Sequence, residues 1–382
     1  MMYFGLLVIK GYQKLLLIIF KRKSMISTLI TSSTTKFIVI IKNIIPVFLL
    51  LFFSCNDKDV NSDTVFDYTL HTNNRVASLK MSSSDYDSWI NEDGFANTES
   101  RLKVVNDLYN VFEDQYDFIF FILNEPSIPE NLFYYGKLIG ISNSVQGLGF
   151  LPYDNSLQYG SNGKLKAVIQ LTGLEYLKYG PALHELAHQW ANFALSTHSV
   201  DAPGEDLSSY LYTGHWGFTG GSTPGQLGGF NQNTLISNGN NSYSVESFGP
   251  FANGGNSVPY NELELYLMGM IDVSSVNDFD MFTEITSLSV NESTFDFTAA
   301  QRTTYTSSSL VDLLGQRVPG NTNSQKEFNL LVLVITKESL TNEEWDIVDA
   351  NAEWFSKTES DETSLYNFWE ATGGQGSLKI GF

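Results

Sequence analysis

The seven residues His184 to Trp190, HELAHQW, restrict this chain more than any other stretch. The pattern His-Glu-x-x-His has chemical meaning only on a helix. At 3.6 residues per turn, His184 and His188 then stand one above the other on the same face. Two imidazoles at that spacing can share one Zn²⁺. Glu185, leaning to the side of that face, can take a proton from a metal-activated water. Gly180-Pro181 reads as a helix start, since proline suits an early helical position. Leu183, Leu186, Ala187, Trp190 and Phe193 form an apolar stripe on the opposite face, so the helix is expected to be anchored by its back with both imidazoles facing a cleft.

A hydrolytic zinc site needs a third protein ligand and an open position. In the metzincin pattern that ligand is a histidine six residues after the second, where this chain has Ala194, and Ala191 stands where a glycine is expected. Glu205 is a second candidate, but Ala202-Pro203-Gly204 before it reads as a loop rather than the helix on which gluzincins carry their glutamate. His198 could swing back from a loop. His215, in Gly214-His215-Trp216-Gly217, has a neighbouring tryptophan that an exposed loop would rarely carry and that could brace the imidazole.

The rest of the chain reads as an α+β protein. Thr64 to Leu70 alternates apolar and polar residues as a strand does, whereas Asp85 to Asn97 is polar and expected to be a loop. Glu99 to Gln115 has Leu102, Val105, Leu108, Tyr109 and Phe112 at helical spacing. Tyr116 to Leu123 is a continuous apolar run and predicts a buried central strand. Strands are expected at Lys137–Ser142, Val145–Phe150 and Lys164–Leu171, with either of the last two as the sheet edge. An exposed edge would let an extended peptide add as a further strand. From 196 to 255 the chain is rich in Gly, Ser and Asn, and an irregular stretch of that length is usually functional. Beyond it come a helix ending at Gly269, a buried strand Phe328–Ile335, a helix Thr341–Lys357 capped by Thr341 and Glu344, a last helix Leu365–Thr372 and a closing strand Leu378–Phe382.

Strand, helix, three strands and then the His-Glu-x-x-His helix is the order found in the upper lobe of a zincin. The expectation is therefore a zincin-like fold: a twisted mixed sheet with the active-site helix in an upper lobe (64–196) and a loop-rich, helical lower lobe (197–382). HELAHQW, the separated His215-Trp216 and the segment Glu264 to Met270, ELYLMGM, together resemble a group of bacterial secreted or lipid-anchored zinc metallopeptidases. Gly147-Leu148-Gly149 and the stretch from Tyr159-Gly160-Ser161 to Lys164-Leu165 share that likeness, which spans about residues 116–270. The resemblance implies Zn²⁺ on His184, His188 and His215, Glu185 as general base, and Met268 as a floor beneath the metal. Tyr210, Tyr212, Tyr260 and Tyr266 are candidates to stabilise an oxyanion.

The N-terminus points out of the cytoplasm. Ile44 to Phe53 is a ten-residue apolar run after Lys42, too short to span a bilayer and suited to a signal peptide (41–54). Ser54-Cys55 follows, resembling the lipobox of bacterial lipoproteins, so that Cys55 would carry the lipid and 55–63 would form a flexible tether. Residues 1–40 are accounted for by an upstream start, with translation beginning near Ile41 or Met25. Cys55 is the single cysteine among 382 residues, which excludes an intrachain disulfide. Residues 1–54 hold seven of the 22 basic side chains and none of the 42 acids, leaving 15 against 42 and a formal −27 for the remainder. Such a body repels nucleic acid. The expected function is a zinc endopeptidase at the bacterial cell surface or outer membrane, acting on protein or peptide and touching the membrane only through its lipid. Another zinc hydrolase, acting on peptidoglycan or a modified peptide, would use the same residues. A non-enzymatic surface-binding lipoprotein on this fold would have no need of Glu185.

Overall fold

The computed structural model describes residues 64–191, 194–195, 215–216, 220–246, 255–291 and 293–382. Cys55, the tether, His198, Glu205, Tyr210 and Tyr212 lie outside them. The strands in chain order are β1 (Asp67–Leu70), β2 (Val76–Lys80), β3 (Phe118–Leu123), β4 (Gly136–Gly140), β5 (Ser142–Asn143), β6 (Tyr153–Asp154), β7 (Ala167–Leu171), β8 (Ile236–Gly239), β9 (Ser242–Glu246), β10 (Phe279–Val290), β11 (Thr294–Tyr305), β12 (Glu327–Thr336) and β13 (Ser377–Ile380). The helices are α1 (Ser83–Asn91), α2 (Thr98–Leu108), α3 (Tyr176–Tyr179), α4 (Ala182–Ala191), α5 (Glu262–Met268), α6 (Ser307–Leu314), α7 (Asn342–Phe355) and α8 (Phe368–Ala371). Among the described residues no helix is long and apolar enough to cross a membrane.

The main sheet runs β1-β2-β12-β3-β7-β4, with β13 beside β12. The strands β2, β12, β3 and β7 are mutually parallel, and the outer strands β1 and β4 are antiparallel to their neighbours. Parallel strands of this kind are covered on both faces, which explains why FIFFIL in β3 is apolar at every position and wholly buried. Successive side chains point to opposite faces. Phe118, Phe120 and Ile122 join the core that contains α4, α5, α7 and α8. Ile119, Phe121 and Leu123 join the core under α1 and α2. Thus α4 is packed on one face of the sheet by Leu183, Leu186 and Trp190, all buried. A separate antiparallel sheet, β10-β11-β9-β8, encloses its own small core around Phe282, Phe295 and Phe297.

The α+β class holds, but several expectations are corrected. The stretch 85–97 is not a loop throughout, because α1 covers Ser83–Asn91. Ser82 caps that helix, and its two aromatic residues Tyr86 and Trp89, three apart, are buried despite polar surroundings. Val145–Phe150 is no strand: Gln146 makes one isolated bridge to Val318, and Gly147 and Gly149 take φ of 78° and 84°. Among the described residues the sheet ends at β1 and β4, while β7 lies inside it between β3 and β4. The helix expected over 99–115 stops at Leu108, and the last one covers only Phe368–Ala371. The chain also does not divide into lobes at 196, since β12 and β13 return to the sheet and β12 sits between β2 and β3.

The β1–β2 turn is pinned to α7 by Asp349, which accepts from Arg75 Nε at 3.0 Å, Arg75 Nη2 at 2.6 Å and Asn73 Nδ2 at 2.8 Å. Burial would raise this carboxyl, but Arg75 and Asn73 outweigh it and hold it below its ordinary value of 3.8. A carboxylate with a lowered folded pKa contributes stability above the unfolded value and loses it as the pH falls through the folded value. Asp349→Asn is expected to cost about 2 kcal/mol at pH 7. The gap from wild type should close below about pH 3.8, as measured by urea unfolding across pH.

Candidate metal centre

Local anchors hold α4 along its length. Its first exposed amides need acceptors, and the buried Asn256 supplies one, Oδ1 accepting from Leu183 N at 3.2 Å. The same side chain donates to Leu177 O and Lys178 O, both at 2.9 Å, so it ties α3 to the start of α4. Tyr260 Oη donates to Leu183 O at 2.8 Å. At the other end Asn143 Nδ2 donates to Gln189 O at 2.7 Å, and Gln189 Nε2 returns a bond to Ser142 O at 2.8 Å.

On the face away from these anchors three imidazoles converge. His184 Nε2 lies 3.0 Å from His188 Nε2 and 3.0 Å from His215 Nε2. The candidate ligand atoms of all three lie within 4.8 Å of one another. Tetrahedral zinc with ordinary Zn–N bonds places its nitrogens roughly 3.3 Å apart, so this donor set fits the ion closely. His184 Nδ1 sits 2.9 Å from Gln226 O. A carbonyl can only accept, so Nδ1 carries the proton and Nε2 turns its lone pair to the centre. Burial first, then the neighbouring charges of His188 and His215, push His184 well below the usual histidine value, keeping it neutral as a ligand must be.

His215 comes from a different part of the chain. Its neighbour Trp216 is fully buried in the main core and donates its backbone N–H to Leu227 O at 2.6 Å. The ring is covered so closely by Gly220 that a Cβ there would collide with it. Trp216 thus fixes the backbone next to His215 in the core.

Glu185 is buried beneath β4. A Cβ on Gly136 would stand 2.7 Å from Glu185 Cγ and Oε1 and 2.7 Å from Pro181 Cγ, so only glycine lets the edge strand lie this close. Burial pushes Glu185 up to about 8, against the opposing pull of the Leu138 N–H and the Lys137 charge. Gly136, Gln226, Asn256 and Glu264 were missed in the sequence, because none stands at a recognisable spacing from the histidines.

One expected role changes. Tyr260 is buried with its hydroxyl committed to Leu183 O, and so serves the helix rather than an oxyanion. Met268 is packed in the main core and lines, with Gln189, Trp190 and Arg317, a cavity of about 180 Å³.

His215→Ala is expected to lower zinc affinity by more than the ten- to hundredfold typical of an outer-shell change, measured by competition with a chromogenic chelator. Trp216→Ala, which leaves the imidazole but removes its brace, should fall within that range. The chain matches no protein-family model, no curated protein and no solved structure, so the reading of this centre rests on its own geometry.

Proposed function

We propose that this protein is a zincin-like zinc peptidase, exported and held at the bacterial cell surface by a lipid on Cys55. The convergence of His184, His188 and His215 beside the buried carboxyl of Glu185 is the observation that carries the reading. His184, His188 and His215 would hold a zinc ion, which would supply a Lewis acid for a carbonyl and a water. Glu185 would take the proton of the attacking water and pass it to the leaving amine. Its buried position favours such traffic, since a carboxylate deprived of solvent holds a proton more readily than one in water.

The edge strand supports a peptide as substrate. Among the described residues strand β4 pairs with β7 alone, and its five residues are half-buried over α4. Its outward backbone groups can receive an extended chain in the manner of an added strand. A scissile bond paired there would lie beside Glu185, because Gly136 rests on that side chain. A peptidoglycan-derived or modified peptide would meet the same groups, and a binding protein would not require Glu185.

Chelator-sensitive cleavage of a mixed protein substrate by the zinc-loaded protein separates these readings. Glu185→Gln is expected to keep one zinc per chain and lose activity by about 10²- to 10⁴-fold; activity at the wild-type level would sink the mechanism. Gly136→Ala, which drives a methyl into Glu185, should likewise retain zinc and lose most turnover.

A further inference from the structure

Glu264 is fully buried on α5. Its carboxylate belongs to a capping box with Asn261, accepting Asn261 N–H at 3.1 Å while Asn261 Oδ1 accepts Glu264 N–H at 3.0 Å. A cap of this type occurs at an exposed helix start too, as with Glu344 on α7. Glu264 does more than cap. Its Oε2 also accepts Gln226 N–H at 2.9 Å, and its Oε1 accepts Leu227 N–H at 2.6 Å. A desolvated carboxylate is expensive unless its lone pairs are filled, and here three amide protons fill them.

The two residues so gripped are the ones that address the metal centre. Gln226 O takes the Nδ1 proton of His184 at 2.9 Å. Leu227 O takes the Trp216 backbone N–H at 2.6 Å, next to His215. The Gln226 side chain adds bonds to Gly255 O, at 3.0 Å, and to Val258 O. Gly225 makes the approach possible, since a Cβ there would stand 2.5 Å from Glu264 Oε2.

We infer that Glu264 is a positioning residue for the metal centre: by clamping Gln226 and Leu227 it sets the orientation of His184 and the placement of His215. The inference rests on the zinc reading above and reaches beyond it. One carboxylate, touching no ligand, couples two of the three imidazoles through the backbone of the 226–227 segment. Replacing Glu264 with glutamine keeps the size but turns one acceptor into a donor facing an amide proton. Either orientation of the new amide leaves Leu227 N–H, or Gln226 and Asn261 N–H, without its bond.

The test compares Glu264→Gln with Glu344→Gln, a control for loss of a capping carboxylate far from the centre. Zinc affinity by chelator competition is expected to fall ten- to hundredfold in Glu264→Gln and to stay within twofold in the control. The d–d absorption of the cobalt-substituted protein should shift in Glu264→Gln alone. Gly225→Ala, which lifts the segment off the carboxylate without altering it, should reproduce the loss and stands in if Glu264→Gln does not fold. In zinc-free protein, ¹⁵N spectra of the histidines should show His184 as a single tautomer protonated on Nδ1 in wild type and as a mixture in Glu264→Gln. Unchanged zinc affinity, cobalt spectrum and tautomer in folded Glu264→Gln would overturn the inference. A wild-type chain that takes up no zinc would count against the peptidase reading, and the zinc-free tautomer measurement would then decide the clamp by itself.

Discussion

Phe118, Phe120 and Ile122 project from one face of β3 and Ile119, Phe121 and Leu123 from the other, and neither set can be left in water. Burial of this strand on both faces governs the arrangement of everything around it. It demands parallel neighbours, which β12 and β7 supply, and a helical layer on each side. One layer, α1 and α2, serves packing, and Trp89 Nε1 bonds Gln170 on β7 to join it to the sheet. The other layer contains α4, and its apolar back is what fixes the direction in which two imidazoles point.

The histidine cluster is then a matter of restraint more than of the three side chains alone. An isolated ten-residue helix is marginal in water, and α4 is no longer than that. Its order comes from Asn256 and Tyr260 at the beginning, Asn143 at the end and the sheet behind. The third imidazole is carried by His215, whose neighbour Trp216 lies in the core and bonds Leu227 O through its backbone N–H. Preorganisation of this kind is what a catalytic ion needs, because the ligands must hold their geometry while the fourth position changes partners. Glycine recurs at the tight places: Gly136 under Glu185, Gly220 against Trp216 and Gly225 against Glu264 each stand where a side chain would collide.

Local patterns made much of this legible in the sequence. His184, Glu185 and His188 follow from spacing alone, whereas His215 is set apart from Glu205 and His198 only by the family resemblance. The buried runs at β3, β7 and β12 announce themselves by unbroken hydrophobicity, and α7 by Thr341 with Glu344. Pairing was not legible. That β12 lies between β2 and β3 depends on contacts between residues more than 200 positions apart, such as Leu330 with Phe118, and no local pattern encodes them. The hairpin of β10 and β11 escaped notice although Phe295, Phe297 and Ala299 alternate as a strand should. Glu264 escaped for another reason: within an apolar helix a capping glutamate looks purely local, and its hold on Gln226 and Leu227 exists only in three dimensions.

The late arrival of β12 has a consequence for the order of events in the cell. Strands β2 and β3 are neighbours only through β12, so the sheet cannot close until residue 336 is available. By then every histidine of the centre has already been made, but the platform beneath α4 has no middle. Long-range pairing of this kind is slow. A chain threaded through a membrane from its N-terminus would therefore carry its three histidines across before the scaffold that brings them together exists. For a chain so threaded, assembly of the histidine cluster would wait until β12 emerges.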